Sequence, residues 1–233
     1  MTSTANKPTI ILTHAAWADG SSWSKVILPL QAAGFNVYAA QIPLTGLHAD
    51  IAALKQLLAR VSGPVILVGH SYAGAVITAA ASGNPTVGAL VYIAGMAPDE
   101  GESVGTLFHR AAPHAQAPAL SPDADGLLWL PPDAFANAVA PDSSVEETAV
   151  MQAAQKPIAI ACLGETMGIP AWREKPSWFL IAGKDRMISP DTQRFMAERA
   201  KSRIRALEVD HTPISSAPHA VVDIIVEAAK ATS

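Results

Sequence analysis

The chain carries a single cysteine, Cys162, among 233 residues. One thiol excludes an internal disulfide and a cysteine-rich metal site. It fits a reducing compartment, where the expected role is that of a small buried hydrophobe. Charge is also scarce, at 15% of residues, and the formal net charge is -4. Without a basic footprint, nucleic acid is not an expected partner. Residues 61–98 carry no Asp, Glu, Lys or Arg, yet Gly63-Pro64 and Gly83-Asn84-Pro85 break the run. It reads as buried strand, helix and strand and not as a membrane span. Met1 to Lys7 is short and polar, without the charged-then-apolar order of a secretory leader. There is no internal repeat and no low-complexity tail. The expectation is a soluble cytoplasmic protein.

What the chain does have is apolar material, at 50% of residues. That is enough for the core of one α/β domain over residues 1–233. Thr9-Ile10-Ile11-Leu12-Thr13 reads as a buried strand. A helix starting near Ser21 or Ser22 follows, with Trp23, Val26, Ile27 and Leu30 on one face and Gly34 at its end. Residues 36–40 form the next strand, and Ile51, Leu54, Leu58 and Val61 mark a second amphipathic helix. Val65 to Val68 and Ala89 to Ala94 are further buried strands, with an alanine-rich helix between them. Such alternation argues for a mostly parallel sheet. From Pro98 to Pro176 the rhythm breaks, and prolines 113, 118, 122, 131 and 132 forbid long regular elements. Helical pieces are expected near 133–139 and 143–155. A loop region this long inside a domain is usually functional, and a cap over approximately 104–172 is expected. The alternation resumes with strands at 177–183 and 204–209 and helices at 191–201 and 217–231.

The central stretch is Gly69-His70-Ser71-Tyr72-Ala73-Gly74, between the third strand and its helix. A serine on so sharp a turn points its hydroxyl out of the sheet beside the positive end of a helix. Two more reactive residues follow later strands: Asp185, in Lys184-Asp185-Arg186, and His211, before Thr212-Pro213. Strand C-terminal ends share one edge of a parallel sheet, so the three can meet there. A serine hydroxyl needs a histidine to accept its proton, and a carboxylate to orient that histidine. Asp99 is a rival acid; Asp210, next to His211, is poorly placed to reach its ring. His219 is a rival base, but helical phase puts it on the solvent face, away from Val221, Ile224, Ile225 and Ala228. His14 and His70 are expected to support the site.

These motifs resemble those of the α/β-hydrolase superfamily, in which G-x-S-x-G forms a nucleophile elbow and the order is serine, acid, histidine. Ala73 stands where the last glycine of that pattern usually is, and Gly74 follows it. The resemblance extends over nearly the whole chain, including 9–23, 97–103 and 185–188, and is to small bacterial esterase-like members. It implies an α/β-hydrolase fold of about six strands with a helical cap. It implies a serine hydrolase cleaving a small apolar carboxylic ester through an acyl-enzyme, with Ser71, Asp185 and His211 catalytic. The oxyanion donors would be the backbone N–H groups of Tyr72 and of Ala16, after His14-Ala15. Ala15 replaces a family glycine, which matters if that position needs a positive φ. Trp17, Met96, Phe108 and Trp129 are candidate pocket residues. No metal or organic cofactor is implied, and the oligomeric state is left open. Hydroxynitrile lyases share the fold and triad order but carry a lysine where Thr212 stands. A ligand-binding receptor of the same fold is the remaining alternative.

Overall fold

A computed structural model describes residues 7–232. The leader expectation for Met1 to Lys7 lies, but for Lys7, outside the described residues. Six parallel strands form one sheet in the order β2 (Val37–Ala40), β1 (Thr9–Thr13), β3 (Val65–His70), β4 (Val87–Ile93), β7 (Ser177–Ala182), β8 (Arg203–Leu207). Strand β1 spans Thr9–Thr13 and is wholly buried. A 3-10 turn at Gly20–Trp23 leads into helix α1, Ser24–Ala32. Strand β2 (Val37–Ala40) and helix α2 (Leu47–Leu58) follow. Strand β3, Val65–His70, is buried on both faces and lies between β1 and β4. Its four aliphatic residues are what a strand packed on both faces requires. Helix α3 spans Ala73–Ala80 and β4 spans Val87–Ile93.

An excursion then separates β4 from β7 and holds only short elements. These are α4 (Val104–Phe108), β5 (Leu127–Leu128), a π turn at Phe135–Val139, α5 (Val145–Ala153), β6 (Ile158–Ala159) and α6 (Ala161–Gly164). The chain rejoins the sheet through a 3-10 turn, Ala171–Arg173. Strand β7 (Ser177–Ala182), helix α7 (Pro190–Arg199) and edge strand β8 (Arg203–Leu207) complete the sheet. Two helices close the chain, α8 (Pro213–Ser216) and α9 (Pro218–Ala231).

Aliphatic side chains on the two sheet faces belong to two separate cores. Ile11, Leu67, Leu90 and Phe179 pack with α2 and α3, whereas Ile10, Ile66, Val68 and Leu180 pack with α1 and α9. Alternate residues of each strand feed opposite cores, as the period of two demands.

Several local expectations are corrected. Asp19, not Ser21 or Ser22, caps the first helical segment, its carboxylate accepting from Ser21 N–H at 2.7 Å. An aspartate followed by small polar residues offers three possible caps, and the chain uses the first. Strands β5 and β6 form an antiparallel ribbon where no strand was foreseen, since two residues carry no periodic signal. The piece near 133–139 is one π turn, just after Pro131-Pro132. Helix α5 lies inside the expected 143–155 and is capped by Ser144, reciprocally with Glu147. Glu227, which helical phase puts on the same face of α9 as His219, is half-buried and not exposed, and accepts from Trp178 Nε1 at 2.9 Å and Arg205 at 3.0 Å. Among the described residues no helix is long and apolar enough to cross a membrane.

Candidate active site

The turn between β3 and α3 is held by backbone contacts on every side. Ser71 has φ of 55°, a left-handed value that costs a non-glycine residue energy. Its N–H donates to Ile93 O at 3.1 Å, and its carbonyl accepts from Met96 N–H at 2.9 Å and Gly74 N–H at 3.0 Å. A Cβ on Gly69 would lie 2.7 Å from Ala73 O; one on Gly74 would run into Met96 O and lie 2.8 Å from Met96 N. Gly74 is therefore the position after the serine where backbone approaches too closely for any side chain. Ala73 is completely buried without such a conflict.

At this edge the three predicted residues meet. Asp185 Oδ2 accepts from His211 Nδ1 at 2.6 Å, and His211 Nε2 lies 2.9 Å from Ser71 Oγ. Because a carboxylate only accepts, Nδ1 carries the hydrogen and Nε2 offers a lone pair to the serine hydroxyl. Asp185 itself receives three further hydrogen bonds. Met187 and Ile188 N–H reach Oδ1 at 2.7 and 2.9 Å, and Gln193 Nε2 reaches Oδ2 at 2.7 Å.

Gln193 was not anticipated. It projects from α7, is fully buried, also donates to Ile188 O, and accepts from Ala182 N–H. Its only sequence signal is its place eight residues after the acid, on the helix that the acid loop enters.

The rival residues are engaged elsewhere. Asp99 pairs with Arg173 at 2.6 Å. Buried Asp210 accepts from Thr212 N–H, Ser216 Oγ and Asp142 N–H, so it braces the histidine loop against the excursion. His219 is exposed near the start of α9.

His14 and His70 hold the surrounding loops. His14 Nδ1 donates to Ala15 O at 2.9 Å and its Nε2 accepts from Ile42 N–H at 3.1 Å. His70 Nε2 donates to His211 O at 2.7 Å, with the two rings 5.3 Å apart. Burial lowers the pKa of both, that of His70 to about 3, so neither ring competes for protons at neutral pH.

The position after His14 is free of strain. Ala15 has no positive φ; Trp17 takes that conformation instead, at 56°. The N–H groups of Ala16 and Tyr72 have no hydrogen-bond partner among the described residues, and both residues border the cavity at Ser71.

Tyr72 is anchored from the other side. Its hydroxyl donates to Asp50 Oδ2 at 2.6 Å, and Leu44 N–H reaches Oδ1 at 2.6 Å. Asp50 is fully buried, and desolvation raises its pKa against those donors. Cys162 Sγ lies 3.6 Å from the same carboxylate, and burial pushes its thiol up to about 12, an inert form.

Among the pocket candidates, Trp17, Met96 and Phe108 line the cavity at Ser71. Trp129 does not: it is 47% exposed, with its Nε1 donating to Asp123 at 3.2 Å. Its neighbours Leu128 and Leu130 turn inward instead, because alternate residues of an extended segment face opposite ways. Among the described residues, no group of three or more His, Cys, Asp or Glu side chains is arranged to hold a metal ion.

This arrangement defines a class. Residues 10–224 match the model of the alpha/beta hydrolase family, and the chain belongs to that family. Over 116 residues it is 30% identical to a carbendazim-hydrolysing esterase of Nocardioides sp. strain SG-4G. That match covers 44% of this chain and 48% of the enzyme, so the chain spans about half the length of this curated relative. A pyrethroid hydrolase from Sphingobium faniae JZ-2 superposes with a TM-score of 0.84 at 22% identity, covering 96% of this chain and 98% of that one. Polyneuridine aldehyde esterase gives 0.82 at 16% identity, covering 95% and 98%. At these identities the structures speak for the fold alone.

Proposed function

We propose that this protein is a serine hydrolase that cleaves small-molecule carboxylic esters through an acyl-enzyme. The observation that carries the reading is His211, bridging Ser71 Oγ at 2.9 Å and Asp185 Oδ2 at 2.6 Å in one buried chain. The esterase-type relatives support ester hydrolysis in general.

In this mechanism Ser71 Oγ attacks the ester carbon while His211 Nε2 takes its proton. The carbonyl oxygen, now anionic, is received by the free N–H groups of Ala16 and Tyr72. Those donors are preorganised by His14, which braces Ala15, and by Asp50, which holds the Tyr72 ring. His211 then gives its proton to the departing alkoxide, and the ester C–O bond breaks. Water repeats the attack on the acyl-serine with the same histidine as base. Asp185 keeps the imidazole in the required tautomer and stabilises the imidazolium.

The lyase alternative draws no support from Thr212, whose hydroxyl donates to Val139 O at 2.8 Å and supplies no cation for departing cyanide. The test is hydrolysis of p-nitrophenyl esters of graded acyl length by wild type and Ser71→Ala. A folded Ser71→Ala protein should lose roughly three decades of kcat or more. An organophosphate should label wild type at Ser71. Near-native activity in Ser71→Ala refutes the mechanism, and cyanide release from mandelonitrile exceeding ester cleavage refutes the reaction class.

A further inference from the structure

The space around His211 is divided unequally. A cavity of about 30 Å³ is bounded by Ser71, Tyr72, Met96, Val104 and Phe108. One water needs about 10–15 Å³ of such space, so this cavity admits only a group or two of that size. A second cavity, of about 380 Å³, is lined by Leu130, Phe135, Val139, Met151 and Ile214 and does not include Ser71. Its volume is that of a small-molecule site. The two cavities share Ala16, Trp17, Met187 and His211, so they abut at the histidine. Another cavity of about 390 Å³ shares Phe108, Leu120, Leu163 and Met187 with the small one, but its lining includes neither Ser71 nor His211.

The chemistry assigns the two halves of an ester to these spaces; this step rests on the serine-hydrolase reading. When the tetrahedral intermediate collapses, His211 Nε2–H must protonate the leaving oxygen. That oxygen therefore stands within hydrogen-bond reach of the imidazole, and the alcohol's carbon skeleton continues on the histidine side. The acyl group stays bonded to Ser71 Oγ and occupies the serine side. The space beside Ser71 and Tyr72 is small. The space that touches His211 without Ser71 is an order of magnitude larger.

We propose that the preferred substrates are esters of a short acyl group, acetyl or propionyl, with a bulky, apolar alcohol that carries no negative charge. The exclusion of negative charge follows from the large chamber's lining. Much of it is aliphatic and aromatic, Asp19 and Glu146 add carboxylates at its border, and Lys25, the cation that borders it, is already paired with Glu147 and hydrogen-bonded to Ser215 O. An anionic alcohol would find no free cation there.

An isomeric pair of esters tests this directly: 2-(2-naphthyl)ethyl acetate and ethyl 2-naphthylacetate. The two contain the same atoms with the ester reversed, and both leave as primary alkoxides. The acetate should have a kcat/KM at least tenfold higher. Equal values, or preference for the bulky acid, overturn the assignment.

Val150, 67% exposed on α5 and bordering the chamber, provides a second handle. Val150→Trp should lower the ratio of naphthylethyl acetate to ethyl acetate turnover about tenfold; an unchanged ratio counts against the chamber. Ser71-dependent cleavage of p-nitrophenyl acetate with the wrong isomer preference sinks this inference alone. Absence of Ser71-dependent cleavage of every ester sinks the hydrolase reading, and this inference with it.

Discussion

The sheet edge and the excursion between β4 and β7 are built on different principles. At the edge, Ser71 and Asp185 sit on turns that leave the fully buried strands β3 and β7 and are fixed by short contacts to backbone, while His211, on the loop after the partly exposed edge strand β8, is held by Asp185. The excursion has no long element. It carries Trp129, Val145, Val150, Ile160 and Ile169 exposed by 47 to 80%. Hydrogen bonds tether it to each loop of the edge. Trp17 Nε1 donates to Leu128 O at 2.9 Å, Arg186 to Asn137 O at 2.6 Å, and Thr212 Oγ1 to Val139 O at 2.8 Å. Chemistry that needs sub-ångström placement is put on the rigid half. On the proposed reading, the shape that would select substrates is put on the half with few internal constraints.

The largest expected effect lies at the edge. His211→Ala should cost roughly three decades or more of kcat, while His219→Ala, on an exposed turn, stays within about threefold of wild type. Steady-state kinetics on the two folded variants checks the pair; the reverse pattern would move the base to α9.

Next comes a glycine in each region. Gly74→Ala drives a methyl into the Met96 backbone, and Gly168→Ala, in the excursion, meets nothing within 4 Å. The first should destabilise by about 1–3 kcal/mol, the scale of overpacking; the second should be neutral or slightly stabilising. Urea unfolding measures both, and equal stabilities would erase the contrast in rigidity.

A smaller effect concerns acid. His70 is held neutral in the folded state down to about pH 3, whereas an unfolded histidine titrates near 6.5. Between those values the unfolded chain binds the extra proton, so stability falls as pH is lowered through 6.5 toward 3. One such group gives a slope of at most about 1.4 kcal/mol per pH unit. His70→Gln, which keeps a donor for His211 O, should lose less stability than wild type between pH 7 and 5. Parallel losses would remove His70 as the source.

The smallest effect is Trp129→Ala, on the outer side of the excursion. Both stability and kcat/KM should change by less than about 0.5 kcal/mol equivalent. A tenfold change in kcat/KM would bring Trp129 back toward the substrate.

Much of the edge was legible because its signals are local. Four consecutive aliphatic residues before Gly69, a tight turn, and an alanine-rich run after it specify strand, turn and helix without reference to the rest of the chain. Asp185 and His211 were readable because each follows a strand, and a parallel sheet delivers all such loops to one side. The stripe of Val221, Ile224, Ile225 and Ala228 put His219 outward, where it lies. The excursion was legible only as an interruption. Two-residue strands and a single π turn have no period to detect, and proline spacing says where elements cannot be but not what replaces them.

By itself, then, the sequence determined the alternation of strand and helix, the order of serine, acid and histidine, and the edge where they gather. These follow from hydrophobic period, turn chemistry and the direction of a parallel sheet, all carried by neighbouring residues. Tertiary structure alone decided that Gln193 supports Asp185, that Asp50 anchors Tyr72, and that Trp129 faces away while Trp17 faces in. It also decided that a small cavity and a large one meet at His211. Those are relations between groups on separate elements, fixed only when the packed elements bring them into contact.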